Sequence, residues 1–451
     1  MIKERIKTGL LTLLVLLSIF LTWQIWTYQP DYDYLLPPED VVHQGLADKR
    51  ELSEVVKPSQ LAYHFGENHH AVAYPDMFQY SVIHSQIKHW EFYGFREVEH
   101  AQGDQLKNMA TRYQGLGLSF ATSIPASILS EMIHMNLDNS DMSSIDHVLL
   151  YSNPITTEVF ALFTSYEEQK MFRANTNISV SELNHYLTLG ENLGRYELVT
   201  LGPAEDIHPV SYVPLSPINV TEYRYFYQRI SPEPMISYLF LDRALVRQME
   251  DRTGDYFYTD GTRGLQIHRD ELSMYYLHPV TDTSSLPAPL NSAIQRSIQF
   301  VNQHSGWDET YHLYDYQPFP FRAEANVEFR RYIGSFPVLP HDSQDMDLNS
   351  IKLEWQQDRI AGYYRSLFTL DRVMEQMDRE LPSGVALLTH LREAHHVQRE
   401  DIQNMFIAYL CDINDQFISY KPYWVVELVD GDTQFYDQIP SSEEVAPDGL
   451  E

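Results

Sequence analysis

The sequence predicts an α+β protein: a single N-terminal transmembrane helix, then a three-domain extracytoplasmic body of helices packed on mainly antiparallel sheets. Three observations carry this expectation. An uncharged apolar run lies at the extreme N-terminus. Helical and extended apolar patterns then follow one another without regular βαβ alternation. Asp-Gly and Asn-Pro signals separate paired extended runs. The 451 residues suffice for about two to four domains. With 43% hydrophobic and 13% aromatic residues the chain can fill large cores, which excludes wholesale disorder.

The N-terminal element comes first. Residues 8–30 carry no charged side chain, and 8–26 (TGLLTLLVLLSIFLTWQIW) would span about 28 Å as a helix, close to a bilayer core. Lys3, Arg5 and Lys7 precede the run, and Asp31, Asp33, Glu39 and Asp40 follow it, which orients the N-terminus to the cytoplasm. Trp23, Trp26 and Tyr28 form an interfacial belt at the outer end. A cleaved signal peptide is the competing reading. It would need small residues after the apolar core, and WQIWTYQPDYDY has no such site, so an uncleaved, single-pass anchor is expected. On a helical wheel Thr8, Thr12, Ser18 and Thr22 share an arc of about 120°, with Gln24 opposite. Such a face can pack on other transmembrane helices. Alternatively the hydroxyls bond their own backbone and mean nothing more.

Four segments are expected: 1–29, cytoplasmic tip and anchor; 30–172, N-terminal extracytoplasmic domain; 173–286, central domain; 287–451, C-terminal domain. In the first domain Phe78, Val82, Ile87 and Trp90 give a helical stripe, a second helix is expected near 124–135, and 146–164 reads as two strands about an Asn-Pro turn. In the central unit a helix at 179–189 opens on Ser179 with Glu182 three residues on. Strands are expected at 195–201 and 222–230, then a strand-to-helix stretch at 235–250, an Asp260-Gly261 hairpin over 255–267 and a strand at 271–280. The Thr/Ser/Pro-rich tract 281–290 marks a boundary. Beyond it Ile294, Ile298 and Val301 share a helix face, and strands are expected at 310–316, 324–333 and 351–364. Helices are expected at about 370–380 and 384–397, a strand at 402–413, and a last hairpin about Asp430-Gly431.

The composition excludes several functions. Net charge is −31, from 32 Lys+Arg against 63 Asp+Glu. The first 30 residues hold three basic and one acidic side chain, so the acidic excess lies entirely in the body. A broad nucleic-acid surface needs the opposite sign. One cysteine, Cys411, excludes an internal disulfide, a cysteine zinc site and an iron–sulfur cluster. Two histidine clusters are candidate ligand sets. His390, His395 and His396 with Glu393 do not meet either zincin order, and surface histidines on a polar helix are the better reading. His64, His69 and His70 read as a loop or helix edge. Gly115-Leu116-Gly117 lacks the third glycine of a dinucleotide fingerprint, and Asp138, Asp141 and Asp146 lack calcium-loop spacing. There is no Gly-x-Ser-x-Gly elbow and no P-loop. Asp260-Gly261-Thr262-Arg263 reads as turn chemistry before it reads as a binding loop. No catalytic, cofactor-binding or metal-binding residue is therefore expected, nor an enzyme. The 31 tyrosines fit partner surfaces and strand positions equally well.

Several stretches coincide with one family. The opening IKTGLLTLLVLLSIFLTWQIWTYQPDYDYL, the hairpin YTDGTRGLQI, the segment FVNQHSGWDETYHLYDYQ, then IKLEWQQDRIAGYYRSLFTLD, LPSGVALL and KPYWVVEL, in that order, resemble the YycH family of Firmicutes. The resemblance spans essentially the whole chain. It implies a non-enzymatic, membrane-anchored accessory regulator. Its implied partners are a YycI-like protein and the cell-wall sensor histidine kinase YycG (WalK), with no nucleic acid and no transferred catalytic residues. A second expectation, from the residues alone, is an extracytoplasmic ligand-binding module that reads a cell-wall fragment.

Overall fold

The computed structural model describes residues 7, 11, 13–18, 20, 21, 48–99, 101, 103–138, 140–202, 206–240, 242–279, 290–304, 306–341 and 347–439. The chain divides into two units, 1–44 and 45–451. In the first, Lys7, Leu11, residues 13–18, Phe20 and Leu21 are helical and exposed. Among the described residues no helix is long and apolar enough to cross a membrane. Lys3, Arg5, Thr8, Thr12, Thr22, Trp23, Trp26 and Tyr28 lie outside the described residues, so of the expected helix face only Ser18 is placed.

The second unit is built on two sheets, whose strands are counted among the described residues. The first contains β1 (Gln60–Gly66), β2 (His69–Ala73), β3 (Glu91–Glu97), β4 (Gln114–Pro125), β5 (His134–Met135), β6 (Ser144–Asn153), β7 (Glu158–Ser165), β8 (Lys170–Thr176), β9 (Arg195–Thr200) and β10 (Val210–Pro214). Their spatial order is β10-β9-β2-β1-β4-β6-β7-β8-β3-β5, and only β3–β5 is parallel. The period-two alternation of these strands makes two apolar faces. On one, Leu61, Tyr63, Leu116, Leu118, Val148, Leu150 and Phe163 meet the helices Phe78–Ile87, Ala126–Met132 and Val180–Gly190. On the other, Ala62, Val72, Leu149, Tyr151 and Leu162 meet Leu106 and Ala110 of the helix Gln105–Arg112. Ser179 caps its helix as the sequence predicts, accepting from the Glu182 amide.

The second sheet contains β11 (Ile218–Arg229), β12 (Arg247–Glu250), β13 (Tyr256–Thr259), β14 (Gly264–Ile267), β15 (Ser273–Leu277), β16 (Tyr311–Phe319), β17 (Glu324–Ile333), β18 (Phe336–Leu339), β19 (Ser350–Gln356), β20 (Arg359–Ser366), β21 (Phe368–Leu381), β22 (Ile402–Ile413), β23 (Phe417–Leu428) and β24 (Thr433–Tyr436). Its path runs β12-β13-β14-β15-β20-β19-β17-β18-β22-β23-β11-β21, with β16 on β17 and β24 on β23. Only β18–β22 is parallel. The expected central unit thus contributes to both sheets: β9 and β10 to the first, β11 to β15 to the second. The largest apolar core is continuous from Leu61 and Phe163 of the first sheet to Val327, Phe329, Ile351 and Leu353 of the second. The helix Ala293–Gln303 buries Ile294, Ile298 and Val301 in that core.

Four local expectations are corrected. Residues 370–380 are not a helix but part of β21, which pairs with β11 from Ile218↔Leu381 to Arg229↔Phe368. Cross-strand bonds Arg224–Glu375 and Arg379–Glu222, both 2.8 Å, lie along that pairing. The order within 235–250 is reversed: a helix, Glu233–Leu239, precedes β12, because Pro234 suits a helix's first turn and not a strand interior. The stretch 351–364 is two strands, β19 and β20, turning at Gln357 with φ 58°. Finally, Phe78 is 71% exposed; the buried face of its helix is Tyr80, Ile83 and Ile87. The Asp260-Gly261 hairpin does form, but with a four-residue loop. Asp260 accepts from Thr262 and Arg263 amides, and only Gly261, at φ 93°, needs the left-handed region.

Candidate functional site

The two sheets of the second unit enclose a cleft of about 620 Å³. Its formation begins with an irregularity in β4. Between Ser119 and Ile124 the pairing with β6 slips, since Ser119 faces His147 and Ile124 faces Ile145. The extra residues swing Phe120 and Ala121 into the cleft wall. They also bring Thr122 to β16, where its hydroxyl accepts from the Tyr316 amide at 3.2 Å. From the first sheet the cleft receives Ser119, Asp146, Tyr166 and Tyr212; from the second, Tyr314, Asp315, Tyr332, Trp424 and Glu427. Across one end, Tyr74 and Phe336 rings lie 5.0 Å apart and the Ser335 hydroxyl donates to the Pro75 carbonyl.

The chemistry of this wall is acidic and phenolic. No Lys, Arg or His lines the cleft among the described residues. Asp146 accepts from the Ser123 hydroxyl and from the Tyr166 amide, and Asp315 from the Gln317 amide group at 2.7 Å. Burial pushes the carboxyls of Asp146, Asp315 and Glu427 above the usual range. Burial likewise raises the phenols of Tyr166, Tyr212, Tyr314 and Tyr332, which keep their protons and can donate. The nearest strong cation to Tyr314 is Arg330, 4.7 Å from its ring centroid, and it is already held by Glu328 and Asp347.

Behind Tyr212 lies a histidine group that the sequence reading placed wrongly. His64 and His70 are not at a loop or helix edge. They face each other across β1 and β2, both wholly buried, and His147 on β6 is 1% exposed. The period-two run LAYHFG puts His64 on the same face as Ala62, which is the signal that could have located it. Asn68 Oδ1 can only accept, so His70 Nε2–H donates to it at 3.2 Å and His70 Nδ1 accepts from His64 Nδ1–H at 2.9 Å. His64 Nε2 is then free to accept from the Tyr212 hydroxyl at 3.4 Å. The row makes sense with every imidazole neutral. Burial lowers His70 to about 4 and His147 to about 3, and takes His64 well below its ordinary value. Gly117 gives the group its room, since a Cβ there would stand 3.1 Å from both His64 Nε2 and His147 Nε2. Neither nitrogen of His147 has a hydrogen-bond partner among the described residues.

The other sequence candidates are placed as follows. His390 is half-buried on the helix Gly384–Ala394, its ring 5.2 Å from that of exposed His395. Asp141 is exposed and bonds Lys170 at 2.7 Å, whereas Asp146 lines the cleft. No group of three potential ligands that could hold a metal ion occurs among the described residues.

Comparison with known proteins follows this geometry. The YycH protein N-terminal domain matches residues 4–186, and the YycH protein C-terminal domain matches residues 209–437. The chain belongs to the YycH family. A YycH relative from Bacillus subtilis (strain 168), named as a two-component system WalR/WalK regulatory protein, is 22% identical over 94% of this chain and 95% of its own length. The crystal structure of YycH from Bacillus subtilis superposes with a TM-score of 0.69 at 19% identity, covering 87% of this chain and 99% of that one. The mixed α+β fold is therefore the YycH fold. The interval between the two family matches contains β9, which still belongs to the first sheet.

Proposed function

We propose that this protein is a non-enzymatic, membrane-anchored accessory regulator that sets the activity of a YycG (WalK) sensor histidine kinase together with a YycI-like protein. The observation that carries the reading is the near full-length match to a relative named for WalR/WalK regulation. The charge asymmetry about residues 8–30 supports an anchor with the N-terminus in the cytoplasm and the body outside. A body on the same side of the membrane as a sensor's receptor portion can bias that sensor by binding one of its states better than the other.

Purification of the full-length chain from membranes should bring down the kinase and the YycI-like protein, and deletion of the chain should change regulator phosphorylation. Normal phosphorylation in the deletion strain, with neither protein recovered, would sink the reading. Protease added to wall-stripped cells should degrade the body and leave a short anchor fragment. Replacing Thr8, Thr12, Ser18 and Thr22 together by Leu should weaken co-purification more than replacing Gly9 and Gln24 on the opposite face. Each small contact contributes only about 0.6 kcal/mol, so single changes should be mild.

A further inference from the structure

We propose that the cleft between the two sheets is a binding site for an alkylammonium group carried on an apolar stem. The inference is independent of the kinase partnership, because the site is complete within this chain. Its volume of about 620 Å³ falls in the range of small-molecule and short-peptide sites.

The carboxylates are the first reason. Elsewhere in the body, buried Asp308, Asp347, Glu328 and Glu222 each face an arginine. Asp146, Asp315 and Glu427 are sheltered in the cleft wall but have no ion-pair partner among the described residues. The arginine that those four carboxylates find inside the protein is missing here, and a cationic ligand would supply the charge.

The tyrosines are the second. Tyr332 is only 6% exposed and its side chain lines the cleft. The Ser119 hydroxyl at the opposite wall is buried and has no hydrogen-bond partner among the described residues. A buried polar group without a partner is costly unless something arrives to bond it. Tyr166, Tyr314 and Tyr332 add aromatic wall against which the methylene groups of such a stem can pack.

An alkylammonium can come from a lysine-type side chain on a short peptide or from a free polyamine. Binding of the full-length chain in detergent should be measured by calorimetry at moderate salt. The probes are an end-capped Ala-Lys-Phe-Ala peptide, its acetyl-lysine counterpart and spermidine. The proposal expects the lysine peptide or spermidine to bind, and the acetylated peptide not to. Whichever of the two binds more tightly identifies the source. Asp315→Asn and Glu427→Gln should each weaken binding about tenfold, the scale of one charge-assisted hydrogen bond. Tyr332→Phe should weaken it less, and Glu99→Gln, on the exposed surface, should change nothing. Unchanged melting curves would show that the variants remain folded. Absence of binding by every cation overturns the proposal. So does binding that Glu99→Gln weakens as much as the cleft variants, which would be diffuse attraction to a chain of net charge −31.

Discussion

His147 shows how a single residue couples the core to pH. Its two nitrogens are buried without hydrogen-bond partners among the described residues, so the ring is tolerated only while neutral. An unfolded histidine titrates near 6.5. The folded values are lower, about 4 for His70 and about 3 for His147, so the unfolded state binds the extra protons between those limits. The stability contributed by the neutral rings is therefore complete above about pH 6.5 and is lost as pH falls toward the folded values. Melting temperature should drop between pH 7 and pH 5. His147→Leu should make that drop shallower, and at pH 7 should be neutral or stabilising by roughly 1 kcal/mol, because it removes two orphaned polar atoms. An acid slope identical in the variant would exclude His147 from the titration. The Asp308 carboxylate is the opposite case. It serves both Arg365, at 2.5 Å, and Arg331, at 3.4 Å, and both guanidiniums are essentially inaccessible. Asp308→Asn should cost roughly 3–5 kcal/mol in denaturant unfolding, since two buried cations lose their counter-charge. A cost under about 1 kcal/mol would mean that Tyr311, Tyr420 and the Phe368 carbonyl suffice for Arg331.

At the scale of elements, the helix Val180–Gly190 illustrates a conflict between propensity and packing. Replacing a helical glycine by alanine ordinarily gains up to about 1 kcal/mol. At Gly190 an added Cβ would stand 2.5 Å from Tyr63 Cγ, because the helix sits directly on β1. Overpacking of that kind costs about 1–3 kcal/mol. Gly190→Ala should therefore lower stability despite the better helix former, and a rise in melting temperature would show that Tyr63 moves aside freely. Strand β21 carries the same lesson in reverse. DRVMEQMDRE is made of good helix formers, and alone it should show only partial helix by circular dichroism. In the protein it is extended, because β11 offers a full antiparallel register. The hairpins needed no such help. Asp260-Gly261 and Asp430-Gly431 each contain a glycine with φ above 90°, and the turn chemistry announces it.

At the scale of the whole molecule, the continuous core means that the two sheets of the second unit should unfold together. The strand order supports this, since β11 from the middle of the chain is held between β21 and β23 from its end. Calorimetry of the full chain should show one cooperative transition for the body. Two resolved transitions, or a fragment ending near residue 186 that melts cooperatively, would show that the sheets are independent. Such a fragment lacks β9 and β10, and with them Tyr212 over the histidines. The cleft belongs to this scale as well, because residues as distant as Ser119, Tyr212, Tyr332 and Glu427 meet in it.

What the sequence determined by itself is what short-range chemistry controls. Ser179 with Glu182 started a helix, Ile294, Ile298 and Val301 chose its buried face, and Ile351, Leu353 and Trp355 showed the inward side of a strand. The tertiary structure alone decided that 368–381 is a strand, that His64, His70 and His147 form one buried group, and that Asp315 and Glu427 share a cleft with Tyr332. The reason is physical. Capping and periodicity act within one or two turns of chain, whereas a strand partner, a desolvated histidine or an unpaired carboxylate depends on which distant segment lies opposite.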